Sequence, residues 1–202
     1  MNGPVEQISA DICIIGAGSA GLSVAAGAVQ MGARTVLIED ARMGGDCLNT
    51  GCVPSKSLLA AAHAAAAVRR GSQLGVDTDA PRVNFRRVHD HVESVIASIA
   101  PHDSEERFRR LGCTVLRSRA CFIDERTVEA GGTRVRARRF VIATGSRAAV
   151  PPIPGLDAVR YLTNETVFEL TDLPGHLIII GAGPIGCEMA QAFRRLGSQV
   201  TV

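Results

Sequence analysis

Apolar residues along this chain gather either into short unbroken runs or into longer stretches with helical spacing. Residues 11–15 (DICII) and 35–38 (TVLI) are runs of strand length. The alanine-rich stretch 22–31 between them predicts a helix that Gly32 ends. Strand, helix and strand in that order predict the start of a βαβ unit. The same pattern returns with a strand expected over 177–180 (LIII), a helix over 187–196, Gly197, and an apolar stretch at 200–202. Glycines of the two segments match at a constant offset of 165: Gly16 with Gly181, Gly18 with Gly183, Gly21 with Gly186, Gly32 with Gly197. The chain therefore carries an internal repeat of two units.

Between the repeats, residues 55–70 read as a helix with a strongly helix-forming alanine run at 60–67. Apolar residues at 85, 88, 92, 95, 96 and 99 predict an amphipathic helix, which Pro101 interrupts before a second helical stretch ending at Gly112. From 114 to 142 the pattern changes to short strands, with a turn at 130–132. Arg134, Arg136 and Arg138 alternate along one of them, the pattern of a solvated face. Pro151, Pro152 and Pro154 read as a stiff linker, so the expected division is 1–150 and 151–202.

Composition narrows the class. The 202 residues are 46% hydrophobic and 21% charged, too apolar for disorder. No run is long enough to span a membrane, and the N-terminus lacks the basic and apolar regions of a secretory signal, so a cytoplasmic protein is expected. A net charge of +2 argues against nucleic acid and against an anionic membrane as partner. Of the 22 basic residues only Lys56 is a lysine. That single ammonium is a compact point charge in a chain otherwise committed to guanidinium. Six cysteines stand at 13, 47, 52, 113, 121 and 187, and only Cys47 and Cys52 are close in sequence.

The run GAGSAG, Gly16–Gly21, follows a predicted strand and opens a predicted helix, the context in which such glycines approach a pyrophosphate. Glu39 stands 18 positions past Gly21, where a ribose-binding acid is expected. In the second copy, GAGPIG, the corresponding acid would fall at 204, past residue 202. The plainer alternative is a glycine turn with an incidental glutamate. A bridge between Cys47 and Cys52 would close a small ring and so be a poor structural staple. A zinc pair would need partner ligands, and no second cysteine or histidine pair is visible, so no metal site is expected. His89 and His91, two apart on a helix, face different ways, and Cys13 reads as a core residue. Cys113, Cys121 and Cys187 have no redox context.

The segment GGDCLNTGCVPSK (44–56), with VIATGS (141–146), resembles the flavin-dependent pyridine nucleotide–disulfide oxidoreductases, and the resemblance covers the whole chain. It implies an α/β fold, a Rossmann-type FAD-binding domain with a small β-meander, followed by the beginning of a Rossmann-type NAD(P)-binding domain. It implies that FAD is held by Gly16, Ala17, Gly18, Ser19, Ala20, Gly21 and Glu39, with Asp46, Gly51 and Lys56 from the cysteine segment. Ala120, Ala143, Thr144 and Gly145 complete that set, while Gly181, Gly183, Pro184, Ile185 and Gly186 are implied for NAD(P). Cys47 is implied as the thiol that meets the acceptor and Cys52 as the flavin-side thiol of a redox-active disulfide. Lys56 is implied beside the flavin in a partly dry site, paired with Glu188. The two quoted segments look most like the mercuric-reductase branch, with Hg(II) as acceptor, and next like dihydrolipoamide dehydrogenase. A homodimer is implied for the full-length parent, whose interface domain, catalytic base and a further segment completing the FAD site are expected past residue 202. The 202 residues alone are expected to be inactive, or, in a reading of another class, to be a non-catalytic nucleotide-binding piece.

Overall fold

The computed structural model describes residues 6–202. The expectation about the N-terminus falls partly on residues 1–5, outside the described residues. In chain order the elements are β1 (Glu6–Ile15), α1 (Ser19–Gln30), β2 (Thr35–Ile38), α2 (Gly45–Asn49) and α3 (Cys52–Arg70). Then come α4 (Phe85–Ile99), α5 (Glu105–Leu111), β3 (Thr114–Leu116), β4 (Ala120–Asp124), β5 (Thr127–Ala130) and β6 (Thr133–Ile142). The chain closes with β7 (His176–Ile178), α6 (Pro184–Leu196) and β8 (Gln199–Thr201). Among the described residues no helix is long and apolar enough to cross a membrane.

The chain forms two compact units, one of residues up to Asn49 with Ser98–Ala149, the other of Thr50–Ala97 with Val150–Val202. The chain crosses between the units at 49/50, 97/98 and 149/150. The cause of the first two crossings is the apolar faces of α3 and α4, which pack in one cluster with α6.

In the first unit a six-stranded sheet runs in the order β3-β2-β1-β6-β5-β4. Strands β3, β2, β1 and β6 are parallel, and β6, β5 and β4 form an antiparallel meander. The parallel part is covered on both faces, which explains unbroken apolar strands in place of alternation. Cys13, Val36 and Ile38 pack on one face with Val128 and Val135 of the meander. Ile14 and Leu37 pack on the other with Leu22 and Ala25 of α1 and Phe108 of α5. β1 starts at Glu6, earlier than the expected 11, because residues 6–10 pair with Thr133–Ala137 of β6. In β6, Val135 and Ala137 are buried while Arg134, Arg136 and Arg138 are exposed, the solvated face the alternation predicts.

In the second unit β7 and β8 pair in parallel through the crossover helix α6. Leu58, Leu59 and Ala62 of α3 meet Met189, Ala192, Phe193 and Leu196 of α6. Phe85 of α4 joins them with its ring centroid 5.8 Å from that of Phe193.

Candidate active site

The first glycine turn sits at the C-terminal end of β1. Gly16 has φ +104° and its backbone passes so close to Ala143 that a Cβ there would lie 2.2 Å from the Ala143 oxygen. Ala143 returns a hydrogen bond from its N–H to the Ile15 carbonyl at 2.7 Å. The VIATGS segment is thereby tied to the GAGSAG turn, and Thr144 and Gly145 follow it, exposed. Gly18 precedes α1, and among the described residues no side chain caps that helix and no acid stands in its first turn, which holds Ser19, Ala20 and Gly21. The N-terminal partial positive charge of a 12-residue helix is therefore open to an anion.

Glu39 leaves β2 and turns back on this loop. Its Oε2 accepts the Ala17 N–H at 2.6 Å and its Oε1 accepts the Ala41 N–H at 2.7 Å. An ionised carboxylate has about four lone-pair directions, so each oxygen retains one for a further donor such as a hydroxyl.

The GGDC doublet completes the same unit. The Gly44 N–H donates to the Ala17 carbonyl at 2.9 Å. A Cβ on Gly45 would stand 2.6 Å from the Gly18 Cα, so two glycine backbones touch there and no side chain fits. Asn49 Nδ2 donates to the carbonyls of Met43 and Gly45, at 3.0 and 2.8 Å, and locks that doublet. Neither Gly44 and Gly45 nor Asn49 is among the sequence-predicted site residues. The double glycine was the available signal for the first two, while nothing marks Asn49. Asp46 and the half-buried Cys47 lie on the short helix α2. Ala120 is elsewhere, on edge strand β4, three strands from β1 in the sheet order and paired with Ala130.

In the second unit Gly51 precedes α3 and the exposed Cys52 is its first residue. No bridge between Cys47 and Cys52 is present among the described residues. One turn along α3, the Lys56 ammonium donates to the Glu188 carboxylate of α6. The two side chains are 61% and 37% exposed, so the pair is wet where a partly dry site was expected. At the far end of the same helices Arg69 donates to the Arg195 carbonyl.

The second glycine turn reproduces the first. Gly181 has φ +110°, and a Cβ on Gly186 would stand 2.1 Å from the Gly181 oxygen, as one on Gly21 would stand 1.8 Å from the Gly16 oxygen. Ile179 touches the second turn as Ile14 touches the first. Gly183 precedes α6, which starts at Pro184 and, like α1, has neither a side-chain cap nor a first-turn acid. Gly181, Gly183, Pro184 and Ile185 are all exposed.

The chain matches the family described as pyridine nucleotide-disulphide oxidoreductase over residues 10–202. It belongs to that family. Similar curated proteins include the mercuric reductase of Bacillus cereus, 37% identical over 95% of this chain and 30% of that protein. The dihydrolipoyl dehydrogenase of Chlamydia trachomatis serovar D is 36% identical, over 95% of this chain and 42% of its own length. The solved Cu(II) complex of the HOCl-induced flavoprotein disulfide reductase RclA from Escherichia coli superposes with a TM-score of 0.79 at 28% identity. That match covers 94% of this chain and 40% of the other. The chain thus spans 30% to 42% of the length of these relatives.

Both glycine turns fit a dinucleotide. Each offers an uncapped helix N-terminus behind a turn that glycine alone can form. Among the described residues no group of three or more His, Cys, Asp or Glu could hold a metal ion.

Proposed function

We propose that the protein passes electrons from NAD(P)H through FAD to the Cys47–Cys52 pair and on to Hg(II). The observation that carries the reading is the Lys56–Glu188 contact. It joins the chain's single ammonium, one turn past Cys52, to the helix that opens at the second glycine turn. The acceptor is supported by the similarity to mercuric reductases over 95% of this chain.

FAD, when bound, supplies two-electron acceptance from a nicotinamide. Residues Gly16–Gly21 would hold its pyrophosphate at the N-terminus of α1, with Glu39 taking a ribose hydroxyl on its remaining lone pairs. Gly181–Gly186 would hold the pyrophosphate of NAD(P) in the same way. Cys47 and Cys52 close to a disulfide in the oxidised form and open to two thiols on gaining two electrons and two protons. Reduction of Hg(II) to Hg(0) takes those two electrons back as the two thiolates close again. Lys56, held by Glu188, places positive charge where the reduced flavin carries negative charge. The full-length parent would act as a homodimer in the cytoplasm.

Dihydrolipoamide chemistry is the second reading, favoured by the 36% identity to the chlamydial enzyme. The test is anaerobic oxidation of NADPH and of NADH by the FAD-loaded full-length protein with Hg(II) or with lipoamide as acceptor. Turnover with Hg(II) that Cys47→Ser abolishes supports the proposal. Turnover with lipoamide alone moves the assignment to the second reading. No turnover and no bound flavin would assign the chain to non-catalytic nucleotide binding.

A further inference from the structure

The first unit carries an open cleft of about 410 Å³ whose walls are the side chains of Arg34, Arg126, Arg136, Arg138 and Arg139. The other lining residues, Ser9, Ala10 and Ala137, are small and leave the depth to the arginines. These guanidinium groups come from separate places: Arg34 stands just before β2, Arg126 in the turn between β4 and β5, and the rest on β6. The parallel pairing of β1 with β6 brings them together, Ser9 lying opposite Arg136 and Ala10 opposite Ala137.

Two carboxylates contact this group. Asp11 binds Arg34 at 3.2 Å and reaches Arg138 at 3.7 Å. Asp124 accepts the Arg126 N–H at 2.7 Å, and that bond first, then a hydrogen bond from the Thr127 side chain and, less, the Arg136 charge hold its carboxyl below the ordinary carboxylate range. Five guanidinium groups therefore face two carboxylates. Like charges gathered in a concave surface focus a positive potential and raise the local concentration of anions.

The chemistry selects the anion. A monovalent ion leaves most of the excess uncompensated, whereas a diphosphate or triphosphate carries several charges and oxygens that match the guanidinium fork. The volume suits a small ligand. No aromatic side chain lines the cleft, so a single-stranded nucleic acid has nothing to stack on. By register the lining residue nearest the glycine turn is Arg139, opposite Ile12 and so four residues before Gly16, about 13 Å away at strand rise. The cleft and the dinucleotide turn are thus separate sites.

We propose that this arginine-walled cleft binds a small polyphosphate anion through its phosphate chain. The test is calorimetric titration of the protein with inorganic pyrophosphate and with ADP, in the presence of stoichiometric FAD and NAD+ to occupy the two glycine turns. The wild type and an R126S/R136S variant are compared at equal salt. Both substituted side chains are exposed, and circular dichroism checks that the variant keeps its fold. The expected result is pyrophosphate binding that the variant weakens by roughly tenfold or more, with R126K/R136K intermediate and FAD binding equal in all three. ADP binding as well as pyrophosphate assigns recognition to the phosphate chain. Equal pyrophosphate binding by wild type and R126S/R136S overturns the proposal, as does ADP binding without pyrophosphate binding, or no binding by either.

Discussion

The Glu39 carboxylate accepts the backbone N–H of Ala17 at 2.6 Å, 22 residues earlier in the chain. The acid that the spacing assigns to a ribose is therefore also a strut of the glycine turn. Replacing it removes a charged acceptor from a half-buried N–H, a loss of about 1–3 kcal/mol. Glu39→Ala is expected to weaken FAD binding roughly tenfold or more and to lower the melting temperature of the apoprotein. Fluorescence titration with FAD and a thermal melt check the two effects together. A variant that loses flavin with an unchanged melt would show that Glu39 is a ligand and not a strut.

Both glycine turns leave room for a methyl group at their second glycine, Gly18 or Gly183, and none at their third, Gly21 or Gly186. A Cβ on Gly186 meets its own turn's carbonyl at 2.1 Å, whereas one on Gly18 finds its nearest neighbour, the Gly45 Cα, at 3.7 Å. Gly186→Ala is expected to cost on the order of 2 kcal/mol or more through backbone displacement, and Gly18→Ala well under that. Urea unfolding midpoints of the two variants compare them directly.

The Lys56 and Glu188 side chains are 61% and 37% exposed, and an ion pair so open to water contributes roughly 0–1 kcal/mol. Lys56→Met and Glu188→Gln are therefore expected to leave the urea midpoint nearly unchanged. The same variants are expected to shift the midpoint of the dithiol–disulfide equilibrium in the FAD-loaded protein, measured against a glutathione series. A large loss of stability with no redox shift would make the pair a structural tie.

Burial pushes the Cys13 thiol up to about 12, against an ordinary value near 9. Burial also raises the thiol of Cys113. In the unfolded chain these thiols ionise first, so the unfolded state binds fewer protons above pH 9. The Cys13 contribution to stability is full below that value and falls as pH rises toward 12, with a slope of about 1.4 kcal/mol per pH unit. A single lysine and a single tyrosine leave few amines and phenols to titrate in the same window. Cys13→Ala is expected to flatten the decline in denaturation midpoints between pH 9 and 11.

Much of this fold was legible in the sequence because both faces of its central strands are covered. DICII and TVLI lie in β1 and β2, and the offset of 165 survives as matching backbone geometry at Gly16 and Gly181. Helix starts were less legible. α1 begins at Ser19 and α6 at Pro184, three residues ahead of the expected 22 and 187, because the glycine turn itself supplies the first helical turn. Pro184 at that first position, where a missing N–H costs nothing, was an available signal. Lys56–Glu188 was reachable only through family resemblance, since 132 residues separate the partners. Asn49 and Arg69 were out of reach because both act on backbone carbonyls, which leave no pattern in side-chain identity.

The central claim is that Cys52 is the thiol that meets the flavin and Cys47 the one that meets the acceptor. It is tested most directly by the absorbance spectrum of the FAD-loaded dithiol protein and its two serine variants under anaerobic conditions. The account predicts a long-wavelength charge-transfer band in the wild type, the same band in Cys47→Ser, and none in Cys52→Ser. A band that persists in Cys52→Ser and vanishes in Cys47→Ser would contradict it.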